Sequence, residues 1–162
     1  MSTAREHANC IPRGPISAVA FVAIIVGISL GIGYVSAPGQ WYANLNKPTF
    51  NPPPWVFGPV WTVLYVLIAI AGWRIWRTAP KSGAMALWIA QMILNWLWSP
   101  AFFGAHAPAL ALVIIVAMLA SIALFMARTW KLDRWSAGLF VPYALWVTFA
   151  TTLNASIVLL NP

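Results

Sequence analysis

Acid/base catalysis needs an ionisable group held at a reaction centre. The chain offers few: Glu6, His7, His106 and Asp133 are its only carboxylates and imidazoles. Glu6 and His7 precede the first apolar run, in a tail (residues 1–14) expected to be disordered. Asp133 stands among Arg128, Lys131 and Arg134, the setting of a solvated ion pair, and His106 falls in a tight turn, where a surface role is expected. No paired carboxylates, metal-ligand cluster, Gly-rich phosphate loop or Ser/His/Asp set is present, which argues against hydrolytic, metal-dependent and nucleotide-dependent chemistry; no metal and no cofactor are expected. Cys10, the only cysteine, has no disulfide partner and is not placed as a lipid attachment site.

What the chain holds instead is neutral polarity and aromatic surface on particular helix faces. Gln91, Asn95, Trp98 and Phe102 recur at +4, +7 and +11, one face of a 3.6-residue helix. Pro142, Trp146, Ala150, Leu153 and Ile157 repeat the pattern, and Trp61, Tyr65 and Ile68 add a third face. An amide in hydrocarbon is costly unless it finds a partner, so Gln91 and Asn95 must face an interior. There they act either as packing glue between helices or as orienting groups in a pocket for a flat apolar ligand.

The elements that carry these faces follow from composition. Of 162 residues, 62% are hydrophobic and 7% charged, with eleven Trp and thirteen Pro. A soluble domain is about a quarter charged. The charges bound four free stretches, residues 14–46, 48–73, 82–127 and 135–162, and the third is long enough for two spans broken near Gly104 to Pro108. The expectation is an all-α membrane protein, a five-helix transmembrane domain over residues 15–160 with spans at about 16–36, 57–76, 83–103, 108–128 and 135–159. Threading them alternately puts eight of the nine Lys and Arg on one side and Lys47 on the other. That places the N-terminus in the cytoplasm and the C-terminus opposite. The excess of basic residues thus reads as orientation, and no nucleic acid partner is expected. Val35-Ser36-Ala37 has the small residues of a signal cleavage site, but the apolar run is too long and Pro38 would follow the cut. No span is expected to carry an Asp, Glu, Lys or Arg at membrane depth, which argues against ion coupling, and five spans do not divide into paired halves.

Between the first two spans, residues 37–56 hold Pro38, Pro48, Pro52, Pro53 and Pro54, so a regular helix or strand is not expected there. Trp41, Tyr42, Phe50 and Trp55 make it unlike a disordered linker. It is either an ordered lid on the bundle or an aromatic belt at the interface. Small residues at Gly27 and Gly31, and at Ala86 and Ala90, permit close helix approach, and Ala86 and Ala90 are the candidate homodimer face.

Three motifs are more specific. Trp41-Tyr42 with Leu45, Lys47-Pro48, Pro52-Pro53, Trp55, Phe57, Pro59, Trp61-Thr62 and Leu64-Tyr65 forms the first. Gln91, Asn95 and Trp98-Ser99-Pro100 with Phe102-Phe103-Gly104 form the second. Pro142-Tyr143, Trp146, Ala150-Thr151 and Leu153-Asn154 form the third. Over about residues 16–158 the chain resembles the TspO/MBR family of translocator and tryptophan-rich sensory proteins. The resemblance implies a five-helix membrane protein, often a homodimer, that binds porphyrins, sterols and benzodiazepine-type drugs in a cavity closed by the first loop. Carried over by residue, the cavity involves Trp41, Tyr42, Trp61, Asn95, Trp98, Phe103, Trp146, Ala150 and Leu153. It also implies, as alternatives to a sensor, a light- and oxygen-dependent porphyrin breakdown at Trp61 and Trp146, or facilitated transport of tetrapyrroles or sterols. Two departures stand out. Phe50 replaces a common Trp, and Asn154 is followed by Ala155 with no Lys or Arg after Arg134, so the family's C-terminal sterol pattern is missing.

Overall fold

The computed structural model describes residues 14–162, so Glu6, His7 and Cys10 lie outside the described residues, as does nearly all of the proposed tail. The described residues form helices and no strand: α1 (Pro15–Val35), α2 (Gln40–Asn44), α3 (Pro54–Thr78), α4 (Gly83–Ser99) with a π-helical turn (Pro100–Gly104), α5 (Pro108–Leu132), α6 (Arg134–Leu139) and α7 (Val141–Leu160). Prolines begin α1, α3 and α5, where a missing N–H would have no helical partner anyway. Four rods are long and apolar enough to cross a membrane: α1, α3, α5 and the run Arg134–Leu160.

Three expectations need correction. The five-span bundle is not reproduced as stated, because α4 has only 17 residues and stays helical to Gly104 only through its π turn. Pro100 cannot donate to the carbonyl one turn back, and the ladder widens; Ala105 N–H bonds Pro100 O at 2.8 Å. The last span is interrupted at Phe140, since Pro142 likewise has no N–H to give, and Asp133 caps α6 by accepting from the Trp135 N–H. The 37–56 loop does contain a helix, α2, in the proline-free window between Pro38 and Pro48.

The core lies among α3, α4, α5 and α7, where Ile68, Ile75, Ile115, Met118, Ile122 and Phe125 are fully buried. Gly72 has no room for a Cβ because the Trp88 indole lies on it, and that indole donates to Ile68 O at 2.9 Å. At the end carrying the α3–α4 and α5–α6 connections, Arg74 grips Asp133 through Nε to Oδ2 at 2.7 Å and Nη2 to Oδ1 at 2.8 Å. The Ser136 hydroxyl donates to the same carboxylate. That guanidinium holds the Asp133 pKa down at about 2. Arg77 and Arg134 stack over Trp73 and Trp130.

Candidate ligand cavity

Opposite the basic end, α1, α3, α4 and the 37–53 connection enclose a cavity of about 420 Å³. Tyr42, Trp61, Asn95, Trp98 and Phe103 all line it, so five of the nine expected site residues share one volume. Trp146, Ala150 and Leu153 line a recess of about 30 Å³ beside it, sharing Tyr42, Trp61, Trp98 and Phe103 as walls. Trp41 lines neither. Its ring stacks on His106 at 4.4 Å and meets Phe102 edge-on, so it fastens the 37–53 segment from outside. His106 holds a φ of 53°, a left-handed turn that presents its ring to that indole.

The π turn sets which phenylalanine faces the cavity. In an unbroken α-helix Phe102 lies nearly in line with Asn95, and Phe103 sits roughly 80° away. The extra residue in the turn removes most of that offset. Phe103 therefore joins Asn95 and Trp98 on the cavity wall, while Phe102 is buried beside the recess. Helical spacing picked Phe102; the family motif picked Phe103.

The polar groups are ordered in a chain. Tyr65 Oη donates to Asn95 Oδ1 at 3.2 Å, and Asn95 Nδ2 donates to Tyr143 Oη at 3.0 Å. Tyr143 Oη donates in turn to Gln91 Oε1 at 3.0 Å, and Gln91 Nε2 to Trp88 O at 2.9 Å. Gln91 is thus packing glue, whereas Asn95 is glue on one side and cavity wall on the other. The amide of Asn95 is fixed in one orientation because each of its two ends already has a partner. Trp98 Nε1 donates to Asn154 Oδ1, whose amide nitrogen donates to Pro108 O. The Trp146 Nε1 is buried with no hydrogen-bond partner.

The 37–53 segment is an ordered cover. Asn46 and Asn161 exchange reciprocal bonds of 3.0 Å, Asn46 N–H to Asn161 Oδ1 and Asn161 Nδ2 to Asn46 O, tying it to the end of α7. Tyr42 packs edge-on against Phe102 and Phe103 and donates from Oη to Asn51 Oδ1 at 3.2 Å. Burial raises the Tyr42 pKa, against a smaller lowering by that bond. Lys47 Nζ donates to the Ala43 and Leu45 carbonyls that end α2.

Sequence reasoning missed the α1 wall, namely Ser29, Leu30, Gly33 and Tyr34, and also Asn51, Phe57 and Gly58. The first four carry no periodic polar signal. Phe57 was legible only as a motif letter.

Four apolar helices of spanning length among the described residues, two of which help to wall an aromatic cavity, define an all-helical integral membrane protein. A profile of the TspO/MBR family matches residues 18–160, and the chain belongs to that family. It is 43% identical over 129 residues to the tryptophan-rich sensory protein of Cereibacter sphaeroides, covering 80% of this chain and 82% of that one. It is 35% identical over 135 residues to the human translocator protein, covering 80% of each. With the tryptophan-rich protein TspO of Archaeoglobus fulgidus it shares 37% over 147 residues, 88% of this chain and 95% of that one.

Proposed function

We propose that the protein binds flat, hydrophobic, porphyrin-like or benzodiazepine-type molecules in the 420 Å³ cavity and acts as a sensor or translocator of tetrapyrroles. The carrying observation is the convergence of Tyr42, Trp61, Asn95, Trp98 and Phe103 on one volume of the size ligand sites have. Trp61 supplies a face, stacked on Tyr65 at 5.3 Å, and Asn95 supplies a fixed amide. The lone Trp146 N–H adds a donor for a ligand acceptor whose edge reaches the recess, since an unmade buried bond costs about 1–3 kcal/mol. Ala150 and Leu153 are small or flexible enough to let that edge in.

In this reading α4 and its π turn serve as the fifth span. The N-terminus is cytoplasmic because Arg74, Arg77, Lys81, Arg128, Lys131 and Arg134 gather at one end. Ala86, on the outward face of α4 with the exposed Ile89, Ile93 and Leu97, and the half-buried Ala90 form the homodimer seam. Titrating the purified protein with protoporphyrin and following tryptophan quenching tests the ligand. Saturable quenching is expected, weakened at least 10-fold by Trp61→Phe with Trp146→Phe. Unchanged affinity in that pair removes these residues from the site.

A second reading is light-driven breakdown of the bound porphyrin, favoured by Trp61 and Trp146 lining the same recess. It predicts a new product spectrum under light and oxygen that disappears in the double variant, whereas binding alone shifts the Soret band.

A further inference from the structure

The cavity has two boundaries that differ in how firmly they are closed. The cover is fastened by the Asn46 and Asn161 exchange, by the Trp41 stack on His106 and by Tyr42 against Phe102 and Phe103. The α1 side is not. Phe21, between Trp76 and Trp88, pins α1 near the basic end. About two thirds of the way along α1, Trp96 Nε1 donates to Ser29 Oγ at 2.9 Å, the one side-chain hydrogen bond between α1 and another helix among the described residues. Beyond Ser29, toward the cover, α1 continues for about 9 Å with no such tie. Of the six cavity residues that are also exposed on the bundle surface, five cluster here, Leu30, Gly33 and Tyr34 on α1 and Pro54 and Gly58 at the start of α3, and the sixth, Pro38, is where the chain leaves α1. Tyr34 is 86% exposed and still contributes to the wall.

We infer that the cavity exchanges its ligand sideways with the bilayer, through an opening between the cover-side end of α1 and the first turns of α3, with the cover closed throughout. This deepens the reading of the cavity as a ligand site and rests on it. The opening lies within a few turns of the helix ends, at the boundary of acyl chains and headgroups. The class of ligand it admits is an amphiphile dissolved in the membrane that leads with an apolar, flat body. Glycines suit the rims because they leave the gap unfilled: a Cβ at Gly33 or at Gly58 would meet nothing within 4 Å. The Ser29 and Trp96 bond marks the lower lip.

The test reads access directly and needs no ligand. In a Cys10→Ser background reconstituted in nanodiscs, a cysteine is introduced by Ser99→Cys on the cavity wall, and a reference cysteine by Thr49→Cys on the exposed part of the cover. Both are reacted with a long-chain N-alkyl maleimide and with a sulfonated, membrane-excluded maleimide. The expected result is an alkyl-to-sulfonate rate ratio at least 10-fold higher at position 99 than at position 49. Adding Gly33→Trp and Gly58→Trp should slow alkyl labelling at position 99 at least 5-fold. Gly27→Trp, in equally open space on α1 but outside the cavity lining, should leave it unchanged. Equal ratios at the two positions, or alkyl labelling untouched by the two rim tryptophans, would overturn the side opening and make the cover the door. The ratio in the Ser99→Cys parent decides the matter even if the rim variants fold poorly. Protoporphyrin titration of the same parent stands apart: no binding there sinks the ligand reading and leaves the access result standing.

Discussion

The basic end of the bundle and the covered end hold the same four-helix core at its two extremities, yet they close differently. At the basic end, side chains interlock without space: Gly72 accepts the Trp88 ring, Arg74 bridges to Asp133, and Ser136 fills in behind. At the covered end, aromatic rings stand around a cavity, hydrogen bonds run along its wall, and a segment remote in sequence is tied across the top. One end is built to hold the helices in register. The other keeps surface unburied, at a cost in packing that the first end must offset.

The largest blow to this contrast should come from Gly72→Val. Its side chain has to displace the Trp88 indole and break the bond to Ile68 O, so stability should fall by about 3 kcal/mol, the upper part of the overpacking range. Denaturation in mixed micelles measures it, and porphyrin affinity of the folded fraction should stay unchanged. If affinity falls instead, the two ends are coupled. Next is Tyr143→Phe, at the seam between them. It strips Asn95 Nδ2 and Gln91 Oε1 of their partner, and should cost about 1 kcal/mol in a membrane setting. It should also weaken ligand binding several-fold by freeing the Asn95 amide to turn.

Smaller is the pH response of the basic end. The Asp133 pKa is held near 2 in the folded protein, below its ordinary 3.8. Its ion pair therefore stabilises the fold fully above the ordinary value, and that contribution is lost as pH falls from about 4 toward 2. Because the pair is partly exposed, the loss should be at most about 1 kcal/mol. Asp133→Asn should flatten the acid limb of a stability titration, and a limb unchanged in that variant assigns it elsewhere. The smallest effect on stability belongs to Asn161→Ala, a few tenths of a kcal/mol, because the Asn46 pair is exposed. Stopped-flow quenching should show ligand exchange changed less than twofold if the cover stays shut during exchange.

Much of this was legible beforehand, and the reasons are local. Charges at Arg74, Arg77, Lys81, Arg128 and Arg134 mark helix ends because ions avoid hydrocarbon. Gln91 and Asn95 announce an interior because amides need partners there. What escaped depends on the path of the chain. The bonds between Asn46 and Asn161 join residues 115 apart. Trp41 carries the composition of a cavity residue, yet the turn at His106 draws its ring outside. The α1 wall is made by Leu30, Gly33 and Tyr34, which read as ordinary lipid-facing residues until α3 and α4 are set beside them. The face of α4 drifted at Pro100 because a period of 3.6 assumes an unbroken ladder, and a proline breaks it.

The π turn has a consequence for how this sequence tolerates insertions and deletions. Elsewhere in the long helices, losing one residue rotates everything downstream by about 100° and ruins the core. At Pro100–Gly104 a deletion of Ala101 can close the segment as ordinary α-helix, so the chain keeps its length of rod and its connection to α5. Phe103 then becomes the seventh residue after Asn95, about 20° from it on an unbroken helix, and keeps its place on the wall beside Asn95 and Trp98. A deletion there should therefore be the one single-residue loss within the rods that the protein tolerates, accumulating normally with its cavity wall in register.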